Sequence, residues 1–285
     1  MTSTTTATTT AAGTTSLGDV RPVGERLRAW RQHRRLSQLE LAGLADVSTR
    51  HLSFVETGRS VPSRAMVLRL AERLDVPLRD RNLLLVSAGY APVYAETAMD
   101  EPRMDAVRAA LRQVLGGHEP YPAVVVDRYW NLIDANSAAG LFLELTPPHL
   151  LEPPVNVLRV SMHPESMARY IVNLGEWRAH MLGRLRRHVA LTADAALNDL
   201  YREMRDYPCD DDDAGGGGEH QPIGGGVVVP LRVRLPGQDG AELSFFSTIA
   251  TFGTPVDITV AELAIESFYP GDERTTRFLR ERAGW

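Results

Sequence analysis

The chain has 285 residues, of which 44% are hydrophobic and 24% charged, with a formal net charge of −5. That balance is the one expected of a soluble globular protein with room for two domains. It excludes membrane-spanning text, because no apolar run reaches about 18 residues, and the Thr-rich start lacks the basic and apolar regions of a secretory signal.

The one cysteine, Cys209, cannot form an internal disulfide, which fits a reducing, cytoplasmic location. The net charge hides a division. Residues 21–90 hold 13 Arg against 7 acidic residues, or +6, and residues 91–285 hold 18 Arg against 28, or −10, with Asp19 making up the total. A basic segment joined to an acidic one is the pattern of a chain whose first part alone meets a polyanion. A solvated surface accounts for +6 equally well.

Residues 1–18 (MTSTTTATTTAAGTTSLG) hold too few apolar groups to offset the entropy of ordering and are expected to be a disordered tail. A helix is expected over 24–34, with Leu27 and Trp30 facing inward. Ser37 and Glu40 then form a capping box, so a second helix starts at Gln38. The text Ala-Asp-Val-Ser breaks it, and Ser48 or Thr49 caps a third helix through Leu52 and Val55 to Glu56. Gly58 stands where a left-handed residue ends that helix. Two short helices joined by a three- or four-residue turn make a helix-turn-helix, braced by a helix over 63–74 and a fifth in LRDRNLLLVSAG.

A connecting helix is expected over 101–117, ending at Gly116 and Gly117. YPAVVVDRYWNLIDAN reads as two strands around a turn at Asp127 and Arg128. Apolar residues from Met167 to Leu185 recur at helical spacing, which predicts one amphipathic helix over 165–187. Thr192 is the expected cap of another over 193–206. The Asp- and Gly-rich stretch 209–226 reads as a mobile loop. Three strands follow (VVVPLRVRL, AELSFFSTIATF and DITVAELAIESFY), and DERTTRFLRERA closes the chain as a helix. The expected organisation is a tail (1–18), a helix-turn-helix domain (19–95), a connecting helix and linker (96–118) and an α+β domain (119–285).

The text from Leu27 to Val76, with its SQ helix start, V-S turn and E-x-G-R-x-x-P, resembles the XRE, or lambda-repressor-like, helix-turn-helix family. The resemblance implies a five-helix all-α head that binds double-stranded DNA. The third helix would lie in the major groove, with Ser48, Thr49, Arg50, Ser53 and Phe54 reading base edges. The fork of Arg50 suits guanine O6 and N7, and the ring of Phe54 suits a thymine methyl. Gln38, Arg59 and Arg64 would contact phosphates. A bundle used only for protein contact is the alternative.

HP, NL-x-E, FGTP-x-D and ESFYPGDE-x-T, spread over about 115–280, together resemble the ligand-binding domain of MmyB-like transcription regulators. That resemblance implies a PAS-like sheet and helices around a pocket for an apolar small molecule, a fatty acid or something similar. Tyr170, Trp177, Met181 and Phe246 are candidate pocket residues, although stripes at helical spacing are also ordinary core. Arg159 and His163 are candidates to receive a carboxylate head group. His163 capping the helix that begins near Pro164 is the equal alternative. His163, His180 and His188 lack metal-ligand spacing, there is no GxSxG elbow, and AGGGGEH follows an acidic loop instead of a strand. The sequence therefore reads as a cytoplasmic, non-enzymatic, ligand-responsive transcription regulator without cofactor or metal. One head covers one half-site, so a homodimer on a palindromic operator is expected. A protein-interaction or antitoxin-like module is the other reading.

Overall fold

In the computed structural model, the described residues are 21–192, 194–209, 228–237 and 242–285. The expected tail and all of the expected loop except Cys209 lie outside them. Short polar caps start three of the first five helices, and prolines precede the other two. α1 (Val23–His33) follows Pro22, and α2 (Gln38–Leu44) begins at the capping box, where the Ser37 hydroxyl accepts from Glu40 N while the Glu40 carboxylate accepts from Ser37 N. α3 (Thr49–Glu56) is capped by Ser48 and α4 (Arg64–Arg73) by Ser63, and α5 (Leu78–Ser87) follows Pro77. Gly58 takes φ 74° and closes α3. The five helices enclose Leu27, Leu41, Leu52, Val55, Val67, Leu70 and Leu85, all essentially inaccessible to solvent.

The chain divides between Ala95 and Glu96 into two compact units. The second begins with a 3-10 turn, Pro102–Met104, that runs into α6 (Asp105–Gly117). Then come β1 (Ala123–Val126), β2 (Leu132–Ala135), α7 (Gly140–Leu143), α8 (Val157–Met162), α9 (Leu174–Thr192) and α10 (Ala195–Asp206). β3 (Leu231–Arg234), β4 (Glu242–Ala250), α11 (Ile258–Ala261), β5 (Ala264–Pro270) and α12 (Glu273–Ala283) complete it. The strands form one antiparallel sheet in the order β2-β1-β5-β4-β3. Strand alternation gives the sheet two apolar faces. One, with Ala123, Val125 and Ile265, packs on Leu111 and Leu115 of α6. The other, with Phe245 and Phe268, faces Phe142, Leu158, Trp177 and Met181 in the main core.

Four expectations are corrected. The single helix over 165–187 is a 3-10 turn, Met167–Tyr170, a break, and then α9. At the break Ile171 bridges to Val233 and Val172 N donates to the Arg232 carbonyl (2.8 Å), while the Asn173 side chain accepts from Arg232 N (3.1 Å). The β3 edge supplies partners that a continuing helix would have had to forgo, and the apolar spacing survives because both pieces face one core. Asp194, not Thr192, caps α10, accepting from Ala196 N and Leu197 N; the Thr192 hydroxyl donates back to the His188 carbonyl inside α9. The expected strand over 257–269 opens instead with α11, which Asp257 caps, and only Ala264–Pro270 is extended. The β1–β2 turn runs beyond Asp127 and Arg128 to Trp130, which takes φ 66°. Trp130 is 7% exposed, so packing in the main core holds a left-handed backbone that a bulky residue otherwise avoids.

Candidate DNA interface and internal cavity

α3 is held from below by a buried ionic network. Glu56, at the end of its inward stripe, accepts from Arg31 Nε (2.7 Å) and Nη2 (2.9 Å) of α1 and from Gln38 Nε2 of α2 (2.8 Å). Arg31 Nη1 also donates to the Leu36 carbonyl (2.7 Å). Burial pushes the Glu56 carboxyl up, but the hydrogen bonds from Arg31 and Gln38 and the Arg31 charge outweigh it and hold the group below its ordinary 4.5. Three helices thus meet at one carboxylate, which fixes the rotation of α3 about its axis.

Solvent meets the other side of α3. Arg50 and His51 are exposed, and Thr49, Ser53 and Phe54 are half-buried. The exposed Ser48 also acts as the cap, its hydroxyl oxygen accepting from His51 N (3.1 Å). The guanidinium of Arg50 lies 5.4 Å from the Phe54 ring centre and that of Arg59 lies 6.0 Å from it. Two cations thus lie within cation–π reach of one ring, which limits the freedom of both. Arg64 is exposed in the first turn of α4. Gln38 differs from the other residues expected at phosphates, because one of its amide protons is already committed to Glu56. The residues missed in the sequence are Arg31 and Glu56. The signal was a charged residue continuing the buried spacing of Leu52 and Val55.

In the second unit an apolar cavity of about 60 Å³ lies between the main-core face of the sheet and the helices above it. Val124, Phe142, Met167, Trp177, Met181 and Phe268 form much of its wall. Of the candidate pocket residues, Trp177 and Met181 are therefore on it. The other four are elsewhere. Arg159 makes two hydrogen bonds to Glu203 (2.8 Å each), whose carboxylate also accepts from Tyr207 OH (2.6 Å). The Arg159 bonds, ahead of the opposing effect of burial, hold Glu203 below its ordinary value. His163 ends α8, and its Nδ1 accepts from Glu165 N (3.1 Å) in the turn that follows; no helix begins at Pro164 for it to cap, and its ring meets Tyr207 edge-on. Tyr170 borders a separate surface groove with Arg169 and Arg234. Phe246 stacks on Tyr269 at 5.2 Å and 13°; its neighbour Phe245 is the one that enters the main core.

Among the described residues, those on the cavity wall with polar side chains, the tryptophan indoles apart, are Ser161 and Glu266. Ser161 Oγ accepts from the Trp177 indole (2.8 Å), and Glu266 Oε1 accepts from Arg184 Nη1 (3.0 Å) and Ser247 Oγ (2.9 Å). Arg184 in turn lies 4.6 Å from the centre of the Trp130 ring, and His180 stacks on Trp177. Burial, helped by the Arg184 charge, lowers His180 below its ordinary 6.5. Burial, with Arg128 second, does the same to His188. Among the described residues no group of three or more His, Cys, Asp or Glu has the arrangement of a metal site, and no helix is long and apolar enough to cross a membrane.

Residues 107–281 match the MmyB-like transcription regulator ligand binding domain, and residues 22–84 match a helix-turn-helix domain. The head is also similar to the HTH-type transcriptional repressor RghR of Bacillus subtilis (strain 168), at 41% identity over 68 residues. Those residues are 24% of this chain and 48% of that protein, so the match spans about half the length of the relative. A helix-turn-helix unit whose third helix is braced from behind, followed by a ligand-binding domain matched over more than half the chain, makes this protein a member of the MmyB-like transcription regulator family, a DNA-binding regulator with a ligand-binding domain.

Proposed function

We propose that the chain regulates transcription as a homodimer on a palindromic operator, and that a small apolar molecule bound in the second unit sets its affinity for that operator. Ser48, Thr49, Arg50, Ser53 and Phe54 read base edges in the major groove, while Arg59 and Arg64 hold phosphates and Gln38 positions the helix pair. The observation that carries this reading is the anchoring of α3 at Glu56, which turns Arg50 and Phe54 outward as a preset pair. The +6 charge of residues 21–90 supports the same reading, since phosphate contacts dominate affinity. The β2-β1-β5-β4-β3 order beneath a layer of helices supports a PAS-like sensor.

Arg50→Ala is expected to cost about 1–3 kcal/mol on the best site and to relax preference at one base position, because a bidentate contact to one base is lost. Arg59→Ala is expected to weaken all sequences together and to reduce the salt slope by about one. Selection of binding sites from a random pool, followed by salt titration on the best one, separates the two. An Arg50→Ala protein with unaltered sequence preference would overturn the base-reading assignment.

A ligand changes operator affinity only by as much as it binds the two states of the protein differently. A coupling of about 1–3 kcal/mol, or about 5–150-fold, is expected, and operator DNA must shift ligand affinity by the same factor. Titrating ligand with and without operator measures it. Equal ligand affinity in both titrations would leave the second unit as a dimerisation or partner-docking domain.

A further inference from the structure

We infer that the ligand of this cavity carries an uncharged hydrogen-bond donor, an alcohol or an amide on an apolar body, in place of the carboxylate of a fatty acid; the inference rests on the cavity being the ligand site. Glu266 is 5% exposed and sits on β5 beside Phe268, both on the cavity wall. Among the described residues it is the one ionisable residue on that wall. A carboxylate offers about four acceptor positions, and Arg184 and Ser247 occupy two of them, both on Oε1. Arg184 also balances the charge, so Glu266 and Arg184 together are neutral.

Three kinds of head group meet this pair differently. An O–H or N–H supplies a donor to Glu266 and adds no charge. A carboxylate supplies no donor and sets a second anion beside the first where little water screens it. An ammonium donates, but because Arg184 already neutralises Glu266, it leaves one cation unbalanced in an apolar site. Ser161 acts against the ammonium alone: its oxygen accepts from Trp177, and its own proton remains to be donated to an oxygen of the ligand, which an alcohol, an amide or a carboxylate provides and an ammonium does not. The groups that would neutralise an acid are elsewhere, with Arg159 spent on Glu203 and His163 on a backbone N–H.

Size makes a second demand. An apolar cavity of about 150 Å³ takes one benzene. At about 60 Å³ the cavity must widen around any larger body. Met167 and Met181 on its wall, unbranched and adaptable, are the side chains that can give way.

The test uses the full chain and four probes of one length at pH 8: decanol, decanamide, decanoate and decylamine. Binding is followed by calorimetry and by the fluorescence of Trp130 and Trp177, both on the wall. Decanol and decanamide are expected to bind at least about tenfold more tightly than decanoate and decylamine, the penalty a buried unbalanced charge readily exceeds. Glu266→Gln, which brings amide protons to the wall, is expected to narrow the gap by admitting decanoate. If that variant does not fold, the ranking on the unaltered protein decides alone. Decanoate binding as tightly as decanol overturns the head-group inference and leaves the cavity as the ligand site. Binding by none of the four overturns both.

Discussion

Glu56→Ala is expected to cost the helix-turn-helix unit about 3–5 kcal/mol, because it strands the guanidinium of Arg31 in the interior without its partner. The Glu56 side chain is 1% exposed and that of Arg31 10%, so little water is at hand to take over. A domain of this kind has about 5–15 kcal/mol of stability in all, and the variant should be largely unfolded at modest denaturant. Denaturant unfolding followed at Trp30 on α1, with operator binding alongside, reads the loss. Removing both charges tests whether the pair adds net stability or sets position. Arg31→Met with Glu56→Leu should recover most of the unfolding free energy, while Gln38 loses its anchor and α3 its fixed rotation. Stability should therefore return without the full operator affinity. If Glu56→Ala unfolds within about 1 kcal/mol of the unaltered protein, the network is too weak to hold α3.

Acid should act on the same group. The Glu56 carboxyl is held below 4.5 in the folded head, so the stability it contributes is present above about pH 4.5 and is lost as pH falls through the lower folded value. In Glu56→Ala this part of the acid dependence should be absent, which gives the variant a signature that mere destabilisation does not.

The head was legible because its signals are local. Ser37 with Glu40 and Ser48 each act within three residues, and each is a cap in the structure. The second unit was read correctly in order but not in detail, because what decides there comes from far along the chain. Helical spacing from Met167 to Leu185 is real, yet Arg232, 60 residues later, supplies the backbone partners that open the break at Ile171–Asn173. In the text SFFS nothing local says which Phe points inward; pairing of β4 with β5 assigns Phe245 to the core and Phe246 to Tyr269. Thr192 and Asp194 are both good caps, and the two extra residues of α9 decide between them. Glu266 was hidden inside a strand motif. A single acid between Ile265 and Phe268 on a buried strand is the signal that would have found it, as Glu56 beside Val55 would have found the network in the head.

Gly24→Ala separates what a residue prefers from what its neighbours permit. In a helix Ala is better than Gly by about 1 kcal/mol, so propensity alone predicts that the substitution stabilises α1. The structure predicts the opposite sign. A Cβ on Gly24 would lie 2.2 Å from the Val55 carbonyl oxygen and 3.0 Å from that of Glu56. Both are backbone atoms of the last turn of α3, which no change of rotamer moves aside. α1 would have to withdraw, taking with it Leu27 and Arg31, the residues one and two turns further along the same face, and with them the grip on Glu56. Overpacking of this kind costs about 3 kcal/mol at the upper end of its usual range, well beyond the gain in propensity. Gly43 in α2 is the control, since a Cβ there meets nothing within 4 Å. Gly43→Ala should raise the unfolding free energy by about 1 kcal/mol. Gly24→Ala should lower it and weaken binding to operator by more than its unfolded fraction explains, because the molecules that remain folded hold α3 at a different tilt. Equal effects at the two glycines would mean that α1 does not pack on α3 as closely as Gly24 requires.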